Sequence, residues 1–166
     1  MLIGHIPAGY LAATPVLDRL GLTPRRRRTL LTVALVASVA PDLDVPAFYA
    51  TGGQVHHHAF PTHWPLTWLV VTGAGLAVAA VRRSRWIAWL ALTIGAAAFL
   101  HLSLDSIAGA VRWGAPFSDH ETTLVEVPAR YAHWIVSMVL HWTFGVELLV
   151  AAVAGAVAWR RRAGAG

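Results

Sequence analysis

The chain has 166 residues, 57% of them hydrophobic and 13% charged, with a formal net charge of +5. Soluble domains carry about a quarter charged residues, so this balance excludes an ordinary water-soluble globule and points to lipid as the solvent. There is no cysteine, which excludes disulfides, thiolate metal sites and cysteine nucleophiles.

In chain order, residues 1–20 are moderately apolar, and Pro7, Gly9 and Pro15 are expected to interrupt any regular helix there. No basic stretch precedes this apolar run, so a cleaved signal peptide is not expected. Residues 29–41 predict a short apolar helix ending at Pro41. The segment 42–65 is rich in Pro, Gly and His and reads as a loop. Residues 66–81 and 86–110 predict two further apolar helices, the second carrying His101 and Asp105. A polar loop, 112–130, holds Asp119, His120, Glu121, Glu126 and Arg130, and Tyr131–Trp159 reads as one long apolar helix. The whole chain, 1–166, predicts a single all-α domain: a multi-pass transmembrane helical bundle of about four to five membrane segments.

Every basic side chain is Arg, and most sit in three runs beside apolar stretches: Arg25–Arg28, Arg82–Arg85 (interrupted by Ser84) and Arg160–Arg162. Such runs are topology signals and anionic-lipid contacts before they are nucleic-acid contacts, so no nucleic-acid partner is expected. If all three are cytoplasmic, the count of crossings closes and the 42–65 and 112–130 loops lie outside. Trp64, Trp68, Trp86, Trp89, Trp134 and Trp159 fall near segment ends, where an interfacial aromatic belt places them. His120 and His133 read as interfacial.

The chemistry resides in a handful of ionisable residues: His5, Asp42, Asp44, the run His56–His58, His63, His101 and Asp105. Ionisable groups in or beside apolar membrane segments are costly and mark function. At about 1.5 Å per helical residue, Asp42 lies roughly 20 Å beyond Arg28, and His101 roughly 22 Å beyond Trp86. Both therefore reach the outer third of a core about 30 Å thick. His101 and Asp105, four residues apart, share a helix face. The expected metal ligands are His5, Asp42, Asp44, His58, His63, His101 and Asp105, with His57, His141 and Glu147 as additional candidates. Imidazole and carboxylate together suit Zn²⁺, with Mn²⁺ or Fe²⁺ as alternatives, and this many ligands is enough for one to two ions. Metal-activated water would then hydrolyse a phosphoester, with Asp44 and Asp105 as the catalytic carboxylates.

The segments Gly4-His5, Pro41-Asp42-Leu43-Asp44, His58-Ala59-Phe60-Pro61-Thr62-His63, His101-Leu102-Ser103-Leu104-Asp105 and Gly114-Ala115-Pro116-Phe117 resemble, in order and spacing, a family of small bacterial inner-membrane proteins. That family is described as metal-dependent hydrolases and includes a LexA-binding member. The resemblance covers about residues 1–120 and implies the same ligands. Ala59 and Phe60 stand where the family has Arg and Gly, and Trp64 replaces a small hydroxyl residue. Any anion-binding duty of that Arg would fall here to Arg112 or Arg130. The expected partners are membrane lipids and a small-molecule or lipid substrate. The alternative functions are a non-catalytic metal-binding protein with a sensing or regulatory role, and a transporter, which would need polar groups at several depths.

Overall fold

The computed structural model describes residues 1–50, 52 and 57–164, and of His57 the backbone alone. Among the described residues the chain is helical, with one isolated antiparallel bridge between Val111 and Thr122. It runs α1 (His5–Arg19), α2 (Pro24–Ala37), a 3-10 turn (Ala40–Asp44), α3 (Val45–Ala50), 3-10 turns at His57–Ala59 and Pro61–His63, α4 (Pro65–Val81), α5 (Arg85–Ala108), α6 (Trp134–Val139) and α7 (Trp142–Ala163).

The expected interruptions in residues 1–20 do not occur: α1 is one helix through Pro7, Gly9 and Pro15. Pro7 falls in the first turn, where a backbone N–H has no intrahelical partner to lose. Gly9 serves close approach, because a Cβ there would come within 2.9 Å of the Ser38 Cβ at the end of α2. The second helix begins before the expected residue 29. Thr23 accepts from the Arg26 N–H and Pro24 opens the helix, so the first Arg run is its first turn. The expected single helix Tyr131–Trp159 is also corrected. It breaks between α6 and α7, where extended His141 caps the second piece by accepting from the Thr143 N–H.

By length and composition α5 (24 residues) and α7 (22 residues) can each cross a membrane. The segments Pro24–Ala37 and Ala40–Ala50, bent by 48° at their junction, make a third if they form one span, and α4 is a shorter apolar helix of 17 residues. The multi-pass helical bundle expected from the sequence is what forms. Fewer helices are individually long enough than the four to five segments counted along the chain, because α1, α2 and α4 are short.

Packing brings the Arg runs together. Asp18 at the end of α1 accepts from Arg27 Nε at 2.9 Å and from Arg161 at 2.6 Å. Arg26 lies 5.3 Å over the Trp86 ring at the start of α5. All three runs therefore share one end of the bundle. α4 and α5 form a close hairpin in which Gly75 sits against Ala91, a Cβ on Gly75 coming within 2.6 Å of the Ala91 methyl. Since α5 starts at the Arg end, His101 lies about 24 Å away along its axis. The opposite end of the bundle holds the ionisable cluster.

Candidate metal centre

Four pieces of chain converge at that end. His5 opens α1; Asp42 and Asp44 lie on the 3-10 turn after α2; His58 and His63 lie on the two short turns before α4; and His101 and Asp105 sit one turn apart on α5. Pro41 and Pro61 each open a 3-10 turn, and these tight turns aim short side chains inward without a full helix. His63 and His101 are fully buried, and His5, Asp44, His58 and Asp105 nearly so. Asp42 is the open edge, with a side chain 31% exposed.

The imidazoles are fixed from behind. His101 Nδ1 lies 2.8 Å from the Ser38 carbonyl and His58 Nδ1 3.0 Å from the Ala110 carbonyl. A carbonyl can only accept, so both Nδ1 atoms carry the proton and donate it. His63 Nδ1 likewise donates to Asp44 Oδ2 at 2.6 Å, an oxygen that also accepts from Thr62 Oγ1 at 2.5 Å. Each ring is left with Nε2 turned toward Asp105 Oδ2: His101 at 2.9 Å, His58 at 3.5 Å and His63 at 3.6 Å. Asp42 Oδ1 lies 3.6 Å from His101 Nε2 and 3.7 Å from His63 Nε2. Asp42, His63, His101 and Asp105 thus offer one ligand atom each, all within 4.8 Å of one another. A ring nitrogen held by a carbonyl or carboxylate while its partner nitrogen faces a shared point is the arrangement of metal-binding histidines.

The polar bookkeeping supports the same fit. Both His5 nitrogens and Asp105 Oδ2 are buried without a hydrogen bond of acceptable geometry. His5 Nε2 is nonetheless 3.1 Å from Asp105 Oδ1, and the His5 ring stacks on His101 at 3.8 Å. The His5–Asp105 distance is that of a hydrogen bond and the direction is not, which leaves His5 Nε2 unsatisfied beside the other ring nitrogens. His101 Nε2 and His63 Nε2 also face each other at 3.4 Å, and two bare lone pairs at that separation repel unless a cation or proton lies between them. Three carboxylates gathered around these rings, two of them buried, call for positive charge. The Met1 amino group, 2.5 Å from Asp105 Oδ1, supplies part of it. The nitrogen and oxygen donors of Asp42, His63, His101 and Asp105, with the unsatisfied atoms beside them, fit a metal ion.

The remaining sequence candidates lie outside the four-residue group. Asp44 reaches the cluster through His63. Glu147 Oε2 accepts the backbone N–H groups of Leu2, Ile3 and Gly4 at 2.8, 2.7 and 3.0 Å, satisfying donors at the start of α1. His141 caps α7, with Nδ1 2.9 Å from Thr143 Oγ1. The His57 side chain is outside the described residues. Arg112 is paired with Asp119 and Glu121, both at about 3 Å, and Arg130 is exposed on the same loop. Sequence reasoning had no means of finding the Ser38 and Ala110 carbonyls, because any residue supplies a carbonyl. Thr62 was visible only as part of a motif.

The YdjM inner membrane protein family model matches residues 1–165. The chain belongs to that family. The family assignment agrees with the apolar α5 and α7 and makes this an inner-membrane protein with a cluster able to hold a metal ion. No curated protein and no solved structure matches the chain.

Proposed function

We propose that this YdjM family protein is a metal-dependent hydrolase of the inner membrane, cleaving a phosphoester or lipid-type substrate on the extracytoplasmic side. The observation that carries the reading is the set of three histidines with Nδ1 held from behind and Nε2 facing Asp105. A purely structural His–Asp pair needs one such ring. The side of the membrane follows from the positive-inside rule: the shared Arg end is cytoplasmic and the cluster faces outward.

His63, His101, Asp42 and Asp105 would hold the ion, with His58 and His5 at the margin of the set. When bound, zinc or a related ion lowers the pKa of water to near neutrality and stabilises charge on a phosphoryl or carbonyl oxygen. Asp105 anchors the four rings through one carboxylate. Asp44, with Thr62, orients His63 and strengthens it as a donor, a positioning role. Asp42, the partly exposed carboxylate, is placed to accept a proton from water at the open edge.

Elemental analysis of detergent-purified protein tests the first half of this reading, with one to two equivalents of transition metal expected. A content near zero after zinc loading defeats the metal site. A screen of phosphomonoesters, phosphodiesters and lipid esters tests the second half. Metal-loaded protein inert on all three classes would leave the non-catalytic metal-binding role in its place.

A further inference from the structure

A groove of about 420 Å³ runs between α1 and α5. Alanines make it: Ala12 and Ala13 on α1, Ala96 and Ala97 on α5 and Ala34 on α2 line it with methyl groups where longer side chains would have met. Thr93 and Trp89 are its only polar side chains. It begins at Leu20 and Trp89, beside the Arg end of the bundle, and stops at Gly9 and Leu100, short of the stacked His5 and His101 rings. Helix rise gives the same length along both walls, about 16 Å, close to the ~15 Å that one leaflet occupies in a core of about 30 Å. The groove thus lies in the half of the membrane nearest the Arg runs and opens at that surface.

The mouth is cationic. On α1 the lining residues Ala12 and Val16 continue, three residues on, into Arg19; on α5 Trp89 is preceded, four residues back, by Arg85. From α2 comes Arg26, whose guanidinium lies 5.3 Å over Trp86, one turn before Trp89. All three arginines are exposed. Among the described residues none of them has a carboxylate partner, because Asp18, the one acidic residue at this end, is taken by Arg27 and Arg161. Of the 13 arginines only Arg112 and Arg130 lie elsewhere, so positive charge is in large excess here.

We propose that the α1–α5 groove seats one acyl chain of an anionic phospholipid from the leaflet at the Arg end, with its phosphate held among Arg19, Arg26 and Arg85. Apolar contact alone would accept any lipid; the charge at the mouth selects a net negative head. Guanidinium groups suit that task, since they bind phosphate through paired N–H donors. Direction and depth agree. A lipid of that leaflet has its head at the Arg end and its chain pointing to the mid-plane, which is how the groove runs. This site is separate from the metal cluster and needs neither an ion nor turnover.

The experiment uses the full-length protein in phosphatidylcholine vesicles with a trace of photoreactive probe, either phosphatidylglycerol or phosphatidylcholine carrying the same diazirine on one acyl chain. At trace levels labelling follows affinity. Each arginine near the surface is worth about fivefold for an anionic head, so three are worth roughly 100-fold. The expected result is labelling of α1 and α5 peptides at least tenfold stronger with the phosphatidylglycerol probe. Arg19→Gln, Arg26→Gln and Arg85→Gln combined should bring that ratio near one. Arg82→Gln, Arg160→Gln and Arg162→Gln combined remove as much charge from the same end, off the groove, and should change the ratio less than twofold. Ala96→Trp, at an exposed position, fills the groove and should abolish the preferential labelling of both helices. If circular dichroism shows Ala96→Trp unfolded, Ala12→Trp, exposed on the facing wall, carries the test. Equal labelling of the wild type by the two probes means annular lipid only and overturns the inference. An equal loss in the two triple variants does the same, because the preference is then a diffuse field. Undiminished preference in a folded groove-filling variant also overturns it, placing the chain elsewhere.

Discussion

Asp105→Asn separates a metal centre from a structural hydrogen-bond cluster. The change keeps shape and one carbonyl-type oxygen but removes the charge on which His101, His58 and His63 converge. If no ion binds there, neither protein shows any metal-dependent stabilisation. If those contacts are a ligand set, the ion loses an anionic partner inside a buried site. Removing one member of a buried charged group costs about 3–5 kcal/mol, which at about 1.4 kcal/mol per decade weakens metal binding roughly 100- to 3,000-fold. That loss has a thermal readout. Metal at a hundred times its Kd stabilises the folded protein by about 2.7 kcal/mol, and a thousandfold weaker site at the same concentration gives less than about 0.1 kcal/mol. The assay is thermal unfolding in detergent, with and without zinc, beside elemental analysis of the same preparations. Wild type should show a clear metal-dependent rise in Tm, and Asp105→Asn almost none, with comparable metal-free stability. Wild-type metal content and an undiminished rise in Asp105→Asn would refute the ligand assignment.

Two further tests bear on placement. Asp44→Asn keeps an acceptor for His63 and Thr62 but removes the charge behind the ring, so metal affinity should fall about 10- to 100-fold, less than for Asp105→Asn; competition with a chelating indicator measures it, and a loss equal to that of Asp105→Asn would make Asp44 a direct ligand. Orientation is read from single cysteines at Ser118 and Ser84, which the cysteine-free chain makes simple. An impermeant thiol reagent should label the first in intact cells and the second only after lysis, and the opposite pattern would put the cluster on the cytoplasmic side.

Much of the architecture was legible because lipid demands it. Apolar runs flagged α4 and α5 to within a residue or two, and the three Arg runs predicted a shared end that the Asp18 and Trp86 contacts make physical. The i, i+4 pair His101 and Asp105 was visible for the same reason, since charge is expensive on an apolar helix. The failures were local. Pro7 and Pro15 were read as breakers, although a proline in the first turn loses nothing and one interior proline costs a single hydrogen bond that packing can offset. His141 looked like an embedded ionisable group and is a helix cap. A cap is recognised by the backbone turning extended, which an apolar run of that length conceals. The spacing of Asp42 and Asp44 allowed one carboxylate to bind an ion while the other coordinates or orients a histidine, and the fold shows Asp44 Oδ2 taken by His63 and Thr62.

Glu147 shows how the most distant helix is tied to the cluster. It is 1% exposed on α7, and a buried carboxylate there invites reading as a ligand. Its oxygen instead gathers the three N–H groups of Leu2, Ile3 and Gly4, next to the first residue of α1, His5. A negative charge at a helix N-terminus is favourable in itself, and here it also fixes where α1 begins. The clamp thereby sets the His5 ring against His101 and Asp105. Glu147→Ala leaves three donors without their acceptor, each costing about 1–3 kcal/mol where no water replaces it, and frees the segment that places His5. Glu147→Gln retains an oxygen able to accept and should restore most of what Ala loses. Cobalt substitution gives a readout that stability alone does not move, because the visible spectrum of bound Co²⁺ reports its ligand geometry. Glu147→Ala is expected to shift that spectrum and weaken binding, and Glu147→Gln to keep it near wild type. A wild-type spectrum and affinity in Glu147→Ala would show that the start of α1 holds its position without the clamp, and that His5 owes its place to stacking on His101.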